Sequence, residues 1–371
     1  MKIAVVHDYF IQRGGAEKLA EAIYNMFPGA DLFATVALKS RMPESLRHVA
    51  VKTSWMQQLP LLEKCYRLYF PLYPLALNSI DLSEYDLVIS SSSGYAKGVR
   101  ANADAIHVCY CHTPMRWVWS FKSYSARESF GGAVRQILQV ILRGLKAWDK
   151  GAARQPDHFI ANSNFVAERI ARAYHRHAEV IHPPIDVNRF AIAHEDGTHY
   201  LVLARLVSYR RIDLAVEAMT RLGRKLLVIG EGPASESLKA IAGPTVRFVG
   251  RASDEDVEEY VRACRALIFP GEEDFGMAPL EVAAAGRPTI AFKRGGAMET
   301  IVEGRTGVFF DEQTSDALVD AILRFEKMQW DPTTIRRHAE NFSVPIFELN
   351  MRRFLRRVGV PVDDSRSVAV S

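Results

Sequence analysis

The sequence predicts an α/β fold with parallel sheets, divided between two domains. Short apolar runs alternate with amphipathic segments along the whole chain, which is the pattern of parallel strands covered by helices. The length of 371 residues exceeds what one ordinary hydrophobic core accommodates, so two domains are expected. A hydrophobic fraction of 48% is enough to fill two cores.

Twelve apolar runs are predicted to be strands. Those in the first half are Lys2–Val6, Asp31–Val36, Leu87–Ser91, Ile106–Cys111, His158–Asn162 and Val180–His182. Those in the second half are Tyr200–Ala204, Lys225–Gly230, Val246–Val249, Ala266–Phe269, Thr289–Phe292 and Gly307–Phe310. Predicted helices between them include Leu214–Leu222, Asp254–Ala263 (with Ser253 as its cap) and Pro279–Ala285.

The Pro183-Pro184 pair marks the expected connection between the two halves. We expect an N-terminal domain over residues 1–185 and a C-terminal domain over residues 186–345. Residues 346–371 are expected to form a helix, Phe347–Val358, and a tail, and one option is that they cross back to the N-terminal domain.

Composition excludes some classes of function. The net charge is +4, from 47 basic and 43 acidic residues, and gives no support for a nucleic-acid partner. The four cysteines form no C-x-x-C pair, which favours a reduced, cytoplasmic protein. The apolar run at the start is too short for a signal peptide, and no stretch of 18 apolar residues is present.

The segment from Gly271 to Glu281 carries the strongest functional signal. It follows an apolar strand and contains two carboxylates eight residues apart, Glu273 and Glu281. We expect Glu273 on a loop at the carboxyl end of a parallel strand, where open α/β sheets bind ligands. Pro279 suits a first helical position, which would put Glu281 in the first turn of the next helix. Free N–H groups at the start of that helix favour an anion, as in a sugar nucleotide.

This segment resembles the Glu-x7-Glu element of the retaining glycosyltransferases of family GT4, including its Phe-Gly-Met-x-Pro-Leu-Glu context. The resemblance extends over nearly the whole chain and is more specific in the second half. It implies the GT-B fold, two Rossmann-like domains facing a central cleft. It also implies that Glu273 binds sugar hydroxyls, that Glu281 binds the ribose, and that the backbone of Phe275, Gly276 and Met277 lies near the sugar and phosphates.

Two arginines match the donor-phosphate motif of the family, Arg-Leu-x-x-x-Lys. Arg205 falls on its arginine, and Arg210 replaces its lysine. Fixed cations stabilise the charge that a diphosphate leaving group gains, which is catalytic. A planar guanidinium is not a point charge, so we expect an altered geometry at position 210. Two ordinary surface arginines are the alternative.

Two further features of the first half match the family. Gly14-Gly15 opens a helix after the first strand, and the resemblance puts the backbone of Gly15 near the donor phosphate or the acceptor. A simple tight turn is the alternative. His112 ends a strand before Thr113-Pro114, and in the family a histidine there touches the donor sugar near its anomeric centre. A purely structural histidine is the alternative.

Acceptor recognition is the least specified part of the prediction. Lys97 follows a run of four serines and suits a phosphate contact, although a flexible polar loop explains the run equally well. Arg116 lies beside Trp117 and Trp119, which could stack on the acceptor or belong to the core.

The resemblance implies a retaining hexosyltransferase that needs no metal and no cofactor if Arg205 and Arg210 do the work of an ion. The likeness is greatest to mannosyltransferases of bacterial O-antigen and exopolysaccharide assembly. It implies GDP-mannose as the donor and a lipid-linked saccharide as the acceptor. The alternatives are a UDP-hexose-dependent transferase, a non-hydrolysing sugar-nucleotide epimerase and a non-catalytic sugar-nucleotide-binding protein of the same fold.

Two segments suit peripheral contact with an anionic membrane at its cytoplasmic face. The segment 55–80 is rich in leucine and aromatic residues. The segment 133–154 has helical apolar spacing and a basic face, which suits a helix lying on lipid or a helix packed on the core. Its apolar residues are Val134, Ile137, Leu138, Ile141, Leu142 and Leu145, and its cations are Arg135, Arg143, Lys146, Lys150 and Arg154.

Overall fold

The computed structural model describes residues 1–12, 14–66, 68–119 and 132–362, apart from the side chains of residues 132–135 and 137. The chain divides into two compact units. The first contains Met1–His182 and the chain from Glu348 onward, and the second contains Pro183–Phe347. Each unit has a parallel sheet flanked by helices, which confirms the predicted α/β class.

The first unit is built on a seven-stranded parallel sheet in the order β3-β2-β1-β4-β5-β6-β7. Its strands are β1 (Ile3–His7), β2 (Asp31–Ala34), β3 (Val51–Thr53), β4 (Leu87–Ser92), β5 (Ile106–Cys111), β6 (His158–Ala161) and β7 (Ala178–Val180). Its helices are α1 (Gly15–Asn25), α2 (Leu62–Cys65), α3 (Tyr73–Leu77), α4 (Arg116–Trp119), α5 (Gly132–Ala152) and α6 (Asn164–Tyr174).

Two strands of this sheet differ from the sequence prediction. The edge strand β3 was not predicted, because it has only three residues and two of them, Lys52 and Thr53, are exposed. The last strand, β7, begins at Ala178 and ends at Val180, two residues earlier than predicted. Short edge strands carry little of the apolar pattern on which strand prediction depends.

The second unit has a six-stranded parallel sheet in the order β10-β9-β8-β11-β12-β13, and all six strands were predicted. The strands are β8 (His199–Leu203), β9 (Leu226–Ile229), β10 (Val246–Gly250), β11 (Cys264–Phe269), β12 (Thr289–Phe292) and β13 (Gly307–Phe310). The helices are α7 (Ile212–Leu222), α8 (Ser235–Ala240), α9 (Asp254–Ala263), α10 (Met277–Ala284), α11 (Ala297–Thr300), α12 (Ser315–Phe325) and α13 (Pro332–Glu340).

The start of α10 corrects one prediction. The helix begins at Met277, and Pro279 is its third residue. Gly276 has a left-handed backbone (φ +86°), and a Cβ there would come within 2.8 Å of the Phe269 ring, so the chain turns at this glycine and enters the helix at once. Glu281 is therefore the fifth helical residue, beyond the first turn.

The last helix, α14 (Val344–Arg357), starts in the second unit and ends in the first. Its later part is anchored in the first unit. Phe354 packs edge-on against His158 with ring centroids 6.1 Å apart, and Arg357 pairs with Glu179. Met351 and Leu355 are fully buried.

Each sheet has one point where the strand order reverses direction. In the first sheet this point lies between β1 and β4, and in the second it lies between β8 and β11. Ligands of open α/β sheets bind beyond the carboxyl ends of the strands at such a point. Each unit therefore has its own position at which a ligand could bind.

Candidate functional site

In the first unit, polar side chains gather at the strand ends around the reversal point. His7 ends β1 and is followed by Asp8, Ser91 lies near the end of β4, and His112 follows β5. The side chains of His7, Asp8 and Ser91 are buried, and His112 is partly exposed. Of these four residues, the sequence prediction contained only His112.

His112 is held on both its backbone and its ring. Its N–H donates to the carbonyl of Ser92 (2.9 Å), its carbonyl accepts from the Asn162 amide (3.0 Å), and its Nε2 lies 2.9 Å from Ser91 Oγ. Burial and the neighbouring His7 lower the pKa of His112 to about 3. The ring is therefore neutral at physiological pH and serves as a hydrogen-bonding group rather than as a cation.

Asp8 organises the loop after β4. Its carboxylate accepts hydrogen bonds from the backbone N–H groups of Ser93 (2.6 Å), Tyr95 (2.8 Å) and Ala96. Hydrogen bonds from backbone N–H groups offset the cost of burying this carboxylate, so Asp8 fixes the conformation of the serine-rich loop. The available signal in the sequence was a charged residue placed directly after the first strand.

Lys97 does not lie where the predicted phosphate contact requires it. Its side chain is 0% exposed, and its Nζ lies 2.6 Å from Asp149 Oδ1 and also donates to the carbonyl of Gly94. The other oxygen of Asp149 accepts from Trp119 Nε1 and from the Tyr174 hydroxyl, both at 2.7 Å. The geometry supports a buried structural ion pair, because a phosphate from solvent would first have to displace Asp149.

The residues around Arg116 favour the core interpretation of the two tryptophans. Trp117 packs against Phe70 and Tyr95, with ring centroids 5.2 and 6.1 Å away, and Trp119 is bonded to Asp149. Arg116 itself is the first residue of α4 and is partly exposed.

Gly15 is the first residue of α1 and is exposed, as the predicted approach of backbone to a ligand requires. The preceding Gly14 has a different reason to be glycine. A Cβ on Gly14 would lie 3.1 Å from Oε2 of Glu17, so the missing side chain leaves room for that buried carboxylate.

In the second unit, two predicted residues contact each other at the reversal point. Arg210 ends a short 3-10 turn, Ser208–Arg210, after β8, and Glu273 lies on the loop after β11. Arg210 Nε is 2.8 Å from Glu273 Oε1, and Arg210 Nη2 is 3.4 Å from Oε2. The planar fork thus meets both carboxylate oxygens, a geometry that lysine cannot provide. Arg205 follows β8 and is exposed.

The backbone around Glu273 is fixed by two glycines of the next loop. Gly296 N–H donates to the carbonyl of Glu273 (2.9 Å), and Glu273 forms a parallel bridge with Gly295. A Cβ on Gly295 would lie 2.3 Å from the Glu273 carbonyl oxygen, and one on Gly296 would lie 2.2 Å from Phe275 Cα. These glycines therefore hold the Glu273 loop in place.

The remaining predicted donor residues lie along the same segment. Phe275 is buried and packs near Phe342, with ring centroids 6.0 Å apart, so only its backbone is offered to a ligand. Met277 and Glu281 are partly exposed on α10. Among the described residues, no group of three or more His, Cys, Asp or Glu side chains is arranged to hold a metal ion.

Two family profiles match consecutive parts of the chain. The profile of Glycosyltransferase Family 4 matches residues 13–189, and the profile of Glycosyl transferases group 1 matches residues 185–342. Both correspond to the family that the motifs resemble.

Individual relatives are distant. An uncharacterized glycosyltransferase of Methanocaldococcus jannaschii is 23% identical over 57% of this chain and 61% of its own length. A GDP-mannose-dependent alpha-(1-6)-phosphatidylinositol monomannoside mannosyltransferase of Mycolicibacterium smegmatis is 27% identical over 43% of this chain and 50% of its own length. The chain thus spans less than two thirds of these curated relatives.

Among solved structures, HepE of Anabaena in complex with UDP has a similar fold. Its TM-score is 0.70 at 17% identity, over 96% of this chain and 100% of HepE. The fold is therefore GT-B. The two profiles, which together cover residues 13–342, define the class: the chain belongs to the GT4-type glycosyltransferases.

Proposed function

We propose that this protein is a retaining hexosyltransferase that moves mannose from GDP-mannose to a lipid-linked saccharide during assembly of a bacterial surface polysaccharide. The contact between Arg210 and Glu273 carries the proposal. It brings a cation for the donor diphosphate next to a carboxylate for the sugar hydroxyls, at the strand ends where such a fold binds its ligand.

The chemistry follows from charge and orientation. As the glycosidic bond breaks, the diphosphate gains negative charge, which Arg210 and Arg205 stabilise more in the transition state than in the ground state. The acceptor hydroxyl attacks from the same face, and the leaving phosphate takes its proton. His112, neutral at physiological pH, interacts with the donor sugar through a hydrogen bond rather than through a charge.

The mannose assignment rests on family likeness and on one relative that is named as GDP-mannose-dependent. A UDP-hexose donor is the second candidate, because HepE, which has a similar fold, was solved with UDP.

Thermal stabilisation by nucleotides and sugar nucleotides, without added metal, separates the two donors. Binding to the folded state raises the unfolding temperature by mass action. A rise with GDP and GDP-mannose alone supports mannose, and a rise with UDP-sugars alone discards it. The anomeric configuration of the transferred sugar, determined by NMR on the product, then tests retention.

A non-catalytic sugar-nucleotide-binding protein is another alternative, which sugar transfer by the wild type would exclude, and Glu273→Ala then tests the site. The Glu273 loop is held through backbone contacts with Gly295 and Gly296, so the variant should keep its fold. We expect transfer to be abolished and the circular dichroism melting curve to be retained. Transfer at the wild-type rate by Glu273→Ala would refute the assignment of the site.

Peripheral membrane contact belongs to the proposal because the acceptor carries a lipid. None of the helices in the described ranges is long and apolar enough to cross a bilayer. Three leucines of the segment 55–80 extend into solvent: Leu61 is 69% exposed, Leu68 74% and Leu75 60%. By contrast, α5 buries Leu142 and Leu145 in the core, although the side chains of Val134, Arg135 and Ile137 lie outside the described residues.

We therefore assign the lipid contact to these leucines rather than to α5. Flotation with vesicles containing anionic phospholipid tests the assignment. Replacing the three leucines with serine should reduce binding, whereas serine at Ile241 and Leu323, exposed apolar positions of the second unit, should not. Equal flotation of both variants and the wild type would contradict it.

A further inference from the structure

We infer that Glu17, His7 and Ser91 are positioning residues that determine which ring nitrogen of His112 accepts a hydrogen bond. The three residues form a chain that ends at His112 and lies wholly inside the first unit. The inference rests on the proposed function only in its last step, where His112 receives a sugar hydroxyl.

The chain is continuous in space. His112 Nε2 lies 2.9 Å from Ser91 Oγ, and the same oxygen lies 3.0 Å from Nδ1 of His7. On the far side of the His7 ring, Nε2 lies 4.0 Å from Glu17 Oε1. That last distance is longer than a hydrogen bond, so the link to Glu17 is electrostatic.

Burial strengthens the electrostatic interaction between His7 and Glu17, because little water screens it. The side chains of His7 and Glu17 are both 2% exposed. His7 Nε2 and Glu17 Oε2 are buried atoms without a hydrogen-bond partner among the described residues, and the ring and the carboxylate face each other across the 4.0 Å from Nε2 to Oε1. Glu17 also lies in the first turn of α1, where the helix dipole favours a negative charge.

The single hydrogen of the Ser91 hydroxyl fixes the order of donors and acceptors. Ser91 can donate to only one of the two rings, so the other ring must donate to Ser91. With one proton on each ring and the Ser91 proton donated to one of the two rings, two arrangements exist. In the first, His7 carries its proton on Nε2, facing Glu17. In the second, His7 turns a lone pair toward Glu17.

A charged Glu17 selects the first arrangement, because a lone pair facing a carboxylate in a buried site is repelled. Ser91 then donates to His7 Nδ1 and accepts from Nε2–H of His112. His112 is left with its lone pair on Nδ1. A ring in this state accepts a hydrogen bond from a hydroxyl and rejects a group that lacks one.

Nitrogen-15 NMR of histidine-labelled protein at pH 8 reads the arrangement directly. We expect a pyridine-like Nδ1 and a pyrrole-like Nε2 for His112, and the same pattern for His7. In Glu17→Gln, which removes the charge and keeps the shape, both rings should shift toward a mixture of tautomers. The opposite tautomer in the wild type, a doubly protonated His7 at pH 8, or an unchanged pattern in Glu17→Gln would each overturn the inference.

Activity provides a second readout with a matched control. Ser90, the neighbour of Ser91 on β4, makes an equivalent buried bond to His107 Nε2 (2.8 Å), but has no link to His112. Ser91→Ala should lower kcat/KM by about tenfold, as expected for a misoriented group in the transition state. Ser90→Ala should change kcat/KM less than about twofold if the effect is specific to the chain.

The two readouts separate this inference from the proposed function. If the wild type shows the predicted tautomers but transfers no sugar, the inference about Glu17, His7 and Ser91 is supported and the proposed transferase function is contradicted. If the wild type transfers sugar but Glu17→Gln leaves the tautomers unchanged, the proposed function is supported and the inference is contradicted. An equal loss of activity in Ser91→Ala and Ser90→Ala would show that Ser91 acts on folding alone.

Discussion

Arg210 differs from the residue type of the family motif but still contacts Glu273. The family motif has lysine at this position, and the arginine keeps the positive charge. Its fork also reaches both oxygens of Glu273, at 2.8 and 3.4 Å, so the two groups hold each other in position. Under the proposed function, a donor phosphate that binds Arg210 must share or replace this contact.

Arg210→Lys and Arg210→Gln separate charge from shape. Lysine keeps the charge and loses the fork, so we expect kcat to fall by about tenfold or less. Glutamine loses the charge, and removal of such a group typically costs about 100-fold in kcat. Steady-state kinetics would measure both values. Arg221→Gln, which breaks an exposed ion pair with Asp316, is the control and should leave kcat unchanged.

The contrast between Lys97 and Arg210 carries a general point. Both are cations that follow strands, and both were predicted to bind phosphate. Lys97 is buried against Asp149, whereas Arg210 is partly exposed at the strand ends. Sequence gives the charge of a residue and its order along the chain, but accessibility depends on which distant carboxylate packs against it.

His107 predicts a dependence of stability on pH. Burial lowers its pKa to about 4, against an unfolded value of about 6.5. Below pH 6.5 the unfolded chain takes up a proton that the folded chain refuses, so stability is lost as the pH falls from 6.5 to 4. His112, with a pKa of about 3, acts in the same direction. The loss from His107 is on the order of 3 kcal/mol.

Thermal unfolding of the wild type and His107→Gln at pH 7 and pH 5 would measure this effect. We expect a smaller fall of Tm between the two pH values in the variant. His48→Gln, at an exposed position, should behave like the wild type. Equal falls of Tm in all three proteins would argue against a buried neutral His107.

At the scale of elements, helix starts depend on individual caps. The predicted cap at Ser253 is confirmed, because its Oγ accepts from Asp256 N–H (3.1 Å) and the Asp256 side chain accepts from Ser253 N–H in return (3.3 Å). The predicted start of α10 was wrong, because the helix begins directly after Gly276 and not at Pro279. Glycine can adopt a positive φ, but the presence of a glycine in the sequence does not predict that it will do so.

Ser253→Ala tests the cap of α9. Loss of a serine cap costs about 1 kcal/mol of stability, and none of the predicted site residues belongs to α9. Urea unfolding should show this decrease, and kcat should stay at the wild-type value. Ser237→Ala, an exposed serine inside α8, provides the comparison and should cost less than the cap. A stable Ser253→Ala protein would mean that α9 is held by packing alone.

At the scale of the whole molecule, α14 joins the two units covalently. Its first residues belong to the second unit, and the remainder packs into the first unit. The first unit is therefore completed only when the C-terminal part of the chain has been made. The N-terminal part of the first unit ends at His182. The stability of this unit should also depend on apolar residues of α14, which lie more than 160 residues further along the chain.

Leu355→Ala tests this dependence. Leu355 is fully buried, and truncation of a buried leucine costs about 2–5 kcal/mol. Thermal unfolding should show a clearly lower Tm. Leu68→Ala removes the same atoms from an exposed side chain in the same unit, and should shift Tm little. Similar Tm values for the two variants would mean that α14 contributes little to the first unit.

The sequence by itself determined the α/β class, twelve of the thirteen described strands and the family, because apolar periodicity and motif spacing are local properties. It also predicted Arg210 and Glu273 as residues of one site, and the structure brings their side chains into contact. Only the tertiary structure decided that Lys97 is buried, that Glu281 lies beyond the first turn of α10, and that Ser91 and His7 connect His112 to Glu17. Burial and contacts between residues distant in sequence depend on how strands are ordered in a sheet, and no local pattern encodes that order.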